Sequence, residues 1–145
     1  MAKKKLTNTI DLEYAFDYVE IQSPYLLGLL QEAISIIKKS VDFSETGFGP
    51  VIEGTICGYG GEVTEDGDIR LDGSILQKYE RDVALALVAH ELAHYHLEHY
   101  DDVPSADGGL QHEEEADRLA SEWGFNIKKF RETCGPATLQ TSFPK

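Results

Sequence analysis

The sequence predicts a small α+β domain, in which a short antiparallel sheet packs beside a buried helix that a second helix crosses. Residues 83–93 are apolar almost all round a predicted helix, which is typical of a helix in the middle of its domain. Residues 62–72 contain two short strands around an Asp-Gly turn, which predicts a hairpin. With 145 residues the chain is long enough for one hydrophobic core, so we expect a single domain over 1–145.

The first half of the chain provides packing elements. Residues 11–22 partly alternate and fit either a strand or a short helix. Ser23 then precedes Pro24 as the predicted N-cap of a helix, whose wide apolar face is Leu26, Leu27, Leu29, Leu30, Ala33, Ile34, Ile36 and Ile37. Residues 41–61 are rich in glycine without a phosphate-binding spacing, which indicates turns between short strands.

The second hairpin strand alternates clearly. Ile69 and Leu71 share one face, and the polar residues Asp68, Arg70 and Asp72 share the other. This pattern predicts a strand with one buried face.

A helix predicted from about Tyr79 to Tyr100 carries the most informative motif, because residues 90–94 read His-Glu-Leu-Ala-His. His90 and His94 would lie one turn apart on one face, so both imidazoles could bind one metal ion. Glu91 would occupy an adjacent sector, from which it could act on a water at the ion without binding the ion itself. In an apolar helix these three side chains are costly to bury unless a metal satisfies them.

A second helix, predicted over Leu110–Trp123 with Gly124 as its cap, offers the third ligand. Glu113 and Asp117 are four residues apart, so Glu113 could bind the metal while Asp117 accepts a hydrogen bond from a ligand histidine. Glu114 and Glu115 differ from Glu113 only in helical phase, and we interpret them as a solvated face. One further helical turn is expected around Ile127–Thr133.

The pair of motifs, HExxH followed by ExxxD on a second helix, resembles that of the gluzincin metallopeptidases, the thermolysin-like group. The form Glu-x-Glu-Ala-Asp-Arg looks most like the HtpX and CAAX-prenyl protease branch, and the small ImmA/IrrE-like peptidases are also similar. The resemblance covers roughly residues 65–125. It implies a zincin-like fold and a zinc metallopeptidase acting on peptides or proteins.

Residue by residue, the resemblance implies that Zn²⁺ is bound by His90, His94 and Glu113, with Glu91 as general base. Asp117 would not bind the ion but would accept a hydrogen bond from a ligand histidine. It also implies that the strand before the HExxH helix is the sheet edge to which an extended substrate adds. The candidate for that edge is Ile69, Arg70 and Leu71, and an ordinary hairpin strand is the equal alternative.

Charge and composition restrict the possible partners. The 26 acidic and 13 basic residues give a formal net charge of −13, which disfavours nucleic acid and anionic membranes. No apolar run approaches the about 18–20 residues of a membrane helix, and the basic start has no apolar segment behind it. We therefore expect a cytoplasmic protein whose two cysteines, Cys57 and Cys134, are free thiols.

Several alternatives stay open. The chain could be a catalytically silent, metal-stabilised binding or regulatory protein, or an acidic protein that occupies a basic partner's nucleic-acid groove. Cys134 could cap the metal, although an ordinary free cysteine is the simpler interpretation. The spacing does not select an oxyanion-stabilising residue among Arg118, Tyr95 and Tyr100. The off-phase histidines, interpreted as surface or loop residues, are His96, His99 and His112, with His112 the nearest to the cleft.

Overall fold

The computed structural model describes residues 12–56, 60–99 and 110–136. Its strands are β1 (Phe16–Glu20), β2 (Phe48–Glu53), β3 (Gly61–Val63) and β4 (Ile69–Leu71). Its helices are α1 (Pro24–Ile37), α2 (Gly73–Leu76), α3 (Arg81–His96), α4 (Leu110–Glu122) and α5 (Ile127–Cys134). Residues 12–15 form a helical turn directly before β1, so the ambiguous N-terminal segment contains both helix and strand.

The sheet is mixed, with the strand order β1-β2-β4-β3. β1 and β4 each pair with β2 in parallel, and only β3 and β4 are antiparallel. The α+β class and the hairpin are therefore confirmed, but the expectation of an antiparallel sheet is wrong. Parallel neighbours need long connections, and α1 provides the one between β1 and β2.

The predicted sheet edge at Ile69–Leu71 is also wrong. β4 is paired on both sides, with Ile69 opposite Val51 of β2 and Val63 of β3. After β2 the chain passes beyond the position of β4 and forms β3 first, so β4 returns into the gap between them. Among the described strands, β3 is the edge on this side of the sheet.

The N-terminal end of α1 matches the predicted signals. The Ser23 side chain accepts a hydrogen bond from the Leu26 backbone N–H, and Pro24 occupies the start of the helix. The apolar face packs into the core and against α3, burying Leu26, Leu29, Leu30, Ala33, Ile34 and Ile37.

Helix α3 lies at the centre of the described structure. It is buried continuously from Val83 to His94, and it contacts α1, α4, α5 and strands β2, β3 and β4. It ends before the predicted Tyr100, because Glu98 adopts a left-handed φ of 63° and reverses the chain. The Glu98 N–H bonds to the Tyr95 carbonyl and the His99 N–H to the His94 carbonyl, which is a Schellman cap.

Helix α4 ends with the same type of cap, here with the predicted glycine. Gly124 has a φ of +109°, and the Phe125 N–H donates to the Ala120 carbonyl at 3.1 Å. The helical turn expected around residues 127–133 is present as α5, which packs against α3. In the described parts of the chain, no helix combines the length and the apolar character needed to cross a membrane.

Candidate metal centre

Three donor atoms from two helices converge in the interior. The Nε2 atoms of His90 and His94 are 3.1 Å apart, and they lie 3.2 Å and 3.0 Å from the two carboxylate oxygens of Glu113. The side chains come from consecutive turns of α3 and from the first turn of α4, which packs against it. All three residues are buried, and together they could hold one metal ion.

The far nitrogen of His90 faces a carboxylate. His90 Nδ1 lies 2.8 Å from Asp117 Oδ1, and a carboxylate at neutral pH only accepts hydrogen bonds. The Nδ1 atom therefore carries the proton, which leaves the Nε2 atom of a neutral His90 with its lone pair toward Glu113. This is the contact that the ExxxD spacing predicts for Asp117.

The chemistry of this donor set fits a divalent cation. Two imidazole lone pairs and a carboxylate directed at one point repel each other unless a positive charge lies between them. In the metal-free protein a proton can take that place. Burial by itself lowers the pKa of His90, but hydrogen bonds to Asp117 and Glu113 raise it to about 9.

The pKa values of His94 and Glu113 are shifted by the same buried cluster. Burial, reinforced by the charge on His90, lowers the pKa of His94 to about 4. Burial alone would raise the pKa of Glu113, but hydrogen bonds to both imidazoles hold it well below its usual range. These directions favour a proton on His90 in the metal-free site, which an incoming cation would displace.

Glu91 lies beside this cluster at the edge strand. The residue is 3% exposed, and burial raises the pKa of its carboxyl group to about 7. A Cβ atom added at Gly61 of β3 would meet the Glu91 side chain at 2.7 Å, so the backbone of the edge strand passes directly against it. A carboxyl group with this pKa can both accept and donate a proton near neutral pH.

Arg131 of α5 completes the polar network, and sequence reasoning missed it. Its guanidinium donates to both oxygens of Asp117, at 2.8 and 3.0 Å, and to Glu113 at 3.2 Å. Arg131 therefore holds the carboxylate that orients His90 as well as the carboxylate of the third donor. Only the expected helix around residues 127–133 could have suggested its proximity.

His99 lies in the turn after α3, as expected of a loop residue, and Glu115 is partly exposed, but their contact with the site was not predicted. The Nδ1 atom of His99 is 3.0 Å from the Nδ1 atom of His94, and its Nε2 atom is 2.9 Å from Glu115 Oε1. Helical phase placed His99 away from His94, but the reversal at Glu98 brings it back. His112 stacks on the His99 ring at 4.0 Å.

The remaining candidates lie elsewhere. His96 is exposed, with its ring 5.9 Å from that of Trp123, as expected for a histidine outside the site. Glu114 and Arg118 are exposed, and the Tyr95 ring packs 6.0 Å from the ring of Phe48. Cys134 is a free thiol that hydrogen bonds with Tyr79, whereas Cys57 and Tyr100 lie outside the described residues.

Comparison of the chain with models of protein families found no match, and comparisons with curated proteins and with solved structures found none either.

Proposed function

We propose that this protein is a zinc-dependent metallopeptidase of the gluzincin type. The observation that carries the proposal is the convergence of His90, His94 and Glu113 with the carboxyl group of Glu91 beside them. A set of two imidazoles and one carboxylate with a position left for water or substrate is typical of catalytic zinc. When bound there, Zn²⁺ would polarise a substrate carbonyl and lower the pKa of a water.

Glu91 is the proposed general base. It accepts a proton from the water whose oxygen attacks the scissile carbonyl, and it then donates that proton to the leaving nitrogen. A C–O bond forms, the C–N bond breaks, and the products are a carboxyl group and an amine. Burial, which raises the pKa of Glu91 to about 7 in the metal-free site, supports this role, because the same group must hold and release a proton.

The substrate would be a peptide or protein in an extended conformation. Among the described strands β3 forms the edge next to β4, and its Gly61 lies against Glu91, so a peptide added to β3 would run past the base. This moves the proposed substrate edge from Ile69–Leu71 to Gly61–Val63. The lack of a side chain at Gly61 allows the β3 backbone to lie this close to Glu91, because any Cβ there would overlap Glu91 and Leu87.

The test combines metal analysis with proteolysis. Purified protein is assayed for bound metal and then incubated with unfolded polypeptides, with and without a chelator. We expect about one Zn²⁺ per chain, with cleavage that the chelator abolishes. Glu91→Gln should retain the metal and lose cleavage, whereas Glu114→Gln, at an exposed position of α4, should retain both. Undiminished cleavage by Glu91→Gln would exclude Glu91 as the base.

The burial of the site favours a second candidate function, a metal-stabilised binding protein without turnover. His90 is fully buried and Glu91 is 3% exposed, so the described conformation gives a substrate little access. In that case the protein would contain stoichiometric metal and gain stability from it, but no fragments would form. The same experiment therefore distinguishes the two functions.

A further inference from the structure

The two ligand histidines are supported in different ways. The far nitrogen of His90 faces the carboxylate of Asp117, whereas the far nitrogen of His94 faces a third imidazole, that of His99. His99 in turn faces the carboxylate of Glu115 at 2.9 Å. His94 thus lies at one end of a chain from imidazole to imidazole to carboxylate.

With both histidines neutral, the hydrogen bonds of this chain of side chains allow only one placement of the protons. Glu115 accepts, so the proton of a neutral His99 is on Nε2 and its Nδ1 atom has a lone pair. That lone pair accepts the Nδ1–H of His94, which leaves the Nε2 lone pair of His94 directed toward Glu113. This is the tautomer that a metal ligand requires.

We propose that His99 is a positioning residue for His94: its Nδ1 atom accepts the hydrogen bond from His94 Nδ1–H, while Glu115 holds its own Nε2–H. This inference rests on the metal site proposed above. His99 is not itself a ligand in this arrangement, because it contacts the nitrogen of His94 that points away from Glu113.

The surroundings hold His99 in this orientation. Its side chain is only 7% exposed, and the His112 ring stacks on it with an interplanar angle of 9°. Glu115 also accepts a hydrogen bond from Gln111 at 2.9 Å. On the backbone side, the cap at Glu98 fixes the His99 N–H on the His94 carbonyl. The hydrogen bonds from His94 through His99 to Glu115 therefore connect the end of α3 to α4, the helix that carries Glu113.

The test uses a matched pair of substitutions at one position. In His99→Asn the amide oxygen is attached to Cγ, as Nδ1 is, and can accept the same hydrogen bond. His99→Leu has nearly the same shape as His99→Asn but has no acceptor. Loss of such a partner typically weakens metal binding by about 10- to 100-fold. We expect that loss for His99→Leu, and most of the affinity to return in His99→Asn.

Affinity for Zn²⁺ is measured by competition with a chromophoric chelator, and the geometry at the ion by the ligand-field absorption of Co²⁺. His99→Leu should change the Co²⁺ spectrum and His99→Asn should restore it. His96→Leu, the same substitution at an exposed histidine of α3, should match the wild type in both measurements. Circular dichroism with a chelator checks that each variant is folded.

A second pair keeps the test decisive if His99→Leu does not fold. Glu115→Leu removes the acceptor of His99 Nε2–H from a partly exposed position, and Glu115→Gln retains an acceptor there. We expect Glu115→Leu to bind Zn²⁺ more weakly than Glu115→Gln.

Equal affinities within both pairs would overturn the role of His99 while leaving the metal site intact. Wild-type protein that binds neither Zn²⁺ nor Co²⁺ would overturn the metal site and this inference together.

Discussion

Raising the pH should destabilise the metal-free protein, because His90 is more basic in the folded state than in the unfolded state. Its pKa is about 9 when folded against an ordinary value of 6.5. A raised histidine pKa contributes stability that is complete below 6.5 and is lost as the pH rises through 9. At about 1.4 kcal/mol for each pKa unit, the difference corresponds to about 3.5 kcal/mol in full, of which about 3 kcal/mol is lost between pH 6.5 and 9.

The contributions of two other buried groups, Glu91 and His94, to the pH dependence of stability nearly cancel. The raised pKa of Glu91 contributes stability below 4.5 that is lost as the pH rises through about 7. The lowered pKa of His94 contributes stability above 6.5 that is lost as the pH falls through about 4. Above pH 6.5 the change is therefore due mainly to His90.

The assay is urea unfolding followed by circular dichroism, with a chelator present, at several pH values between 6.5 and 9. The free energy of unfolding should fall by about 3 kcal/mol over this interval, and saturating Zn²⁺ should remove the decline because the ion replaces the proton. His90→Gln should flatten the dependence, whereas His96→Gln, at an exposed histidine, should keep it. A metal-free wild type whose stability is constant or rises over this range would refute the reasoning.

Three further outcomes can be measured directly. Asp117→Asn should weaken Zn²⁺ binding by about 10- to 100-fold in chelator competition, because the hydrogen bond that orients His90 is weakened; unchanged affinity would contradict its role. Glu98→Gly should raise the free energy of unfolding by about 0.5–1 kcal/mol in urea titrations, because it removes left-handed strain at the end of α3; a loss of stability would contradict the strain. Gly61→Ala should cost about 1–3 kcal/mol and reduce cleavage more than metal binding, since its Cβ would meet Glu91 at 2.7 Å. Gly54→Ala, where nothing lies within 4 Å, is its control and should behave as the wild type in both assays.

Helical periodicity was enough to predict which site residues share a face within each of the two helices. The spacing of His90 and His94, and of Glu113 and Asp117, depends only on the local geometry of a helix, which sequence reveals directly. The structure brings these four side chains into one network, while the ion and the chemistry remain predictions.

The errors arose where distant segments meet. The position of β4 between β2 and β3 depends on the path of the connection, which the alternation of Ile69 and Leu71 does not encode. His99 was assigned by helical phase beyond the point where the helix ends, and a glutamate at the left-handed position gave no signal of that end. Arg131 reaches the site from a separate helix, and no spacing rule links it to Asp117.

The unequal anchoring of the two helices that hold the donors decides how an ion enters and leaves. α3 is enclosed by the sheet and three helices, so we expect its two imidazoles to stay in place unless the whole domain unfolds. α4 buries less apolar surface: its fully buried residues are Glu113, Ala116 and Ala120, and Leu119 is partly buried. Much of what holds it is polar, through the contacts of Asp117 and Glu115. Ion exchange should therefore follow outward excursions of α4, and amide hydrogen exchange should be fast in α4 and slowest in α3. In such an exchange His90 and His94 would stay in place while Glu113 moves with α4.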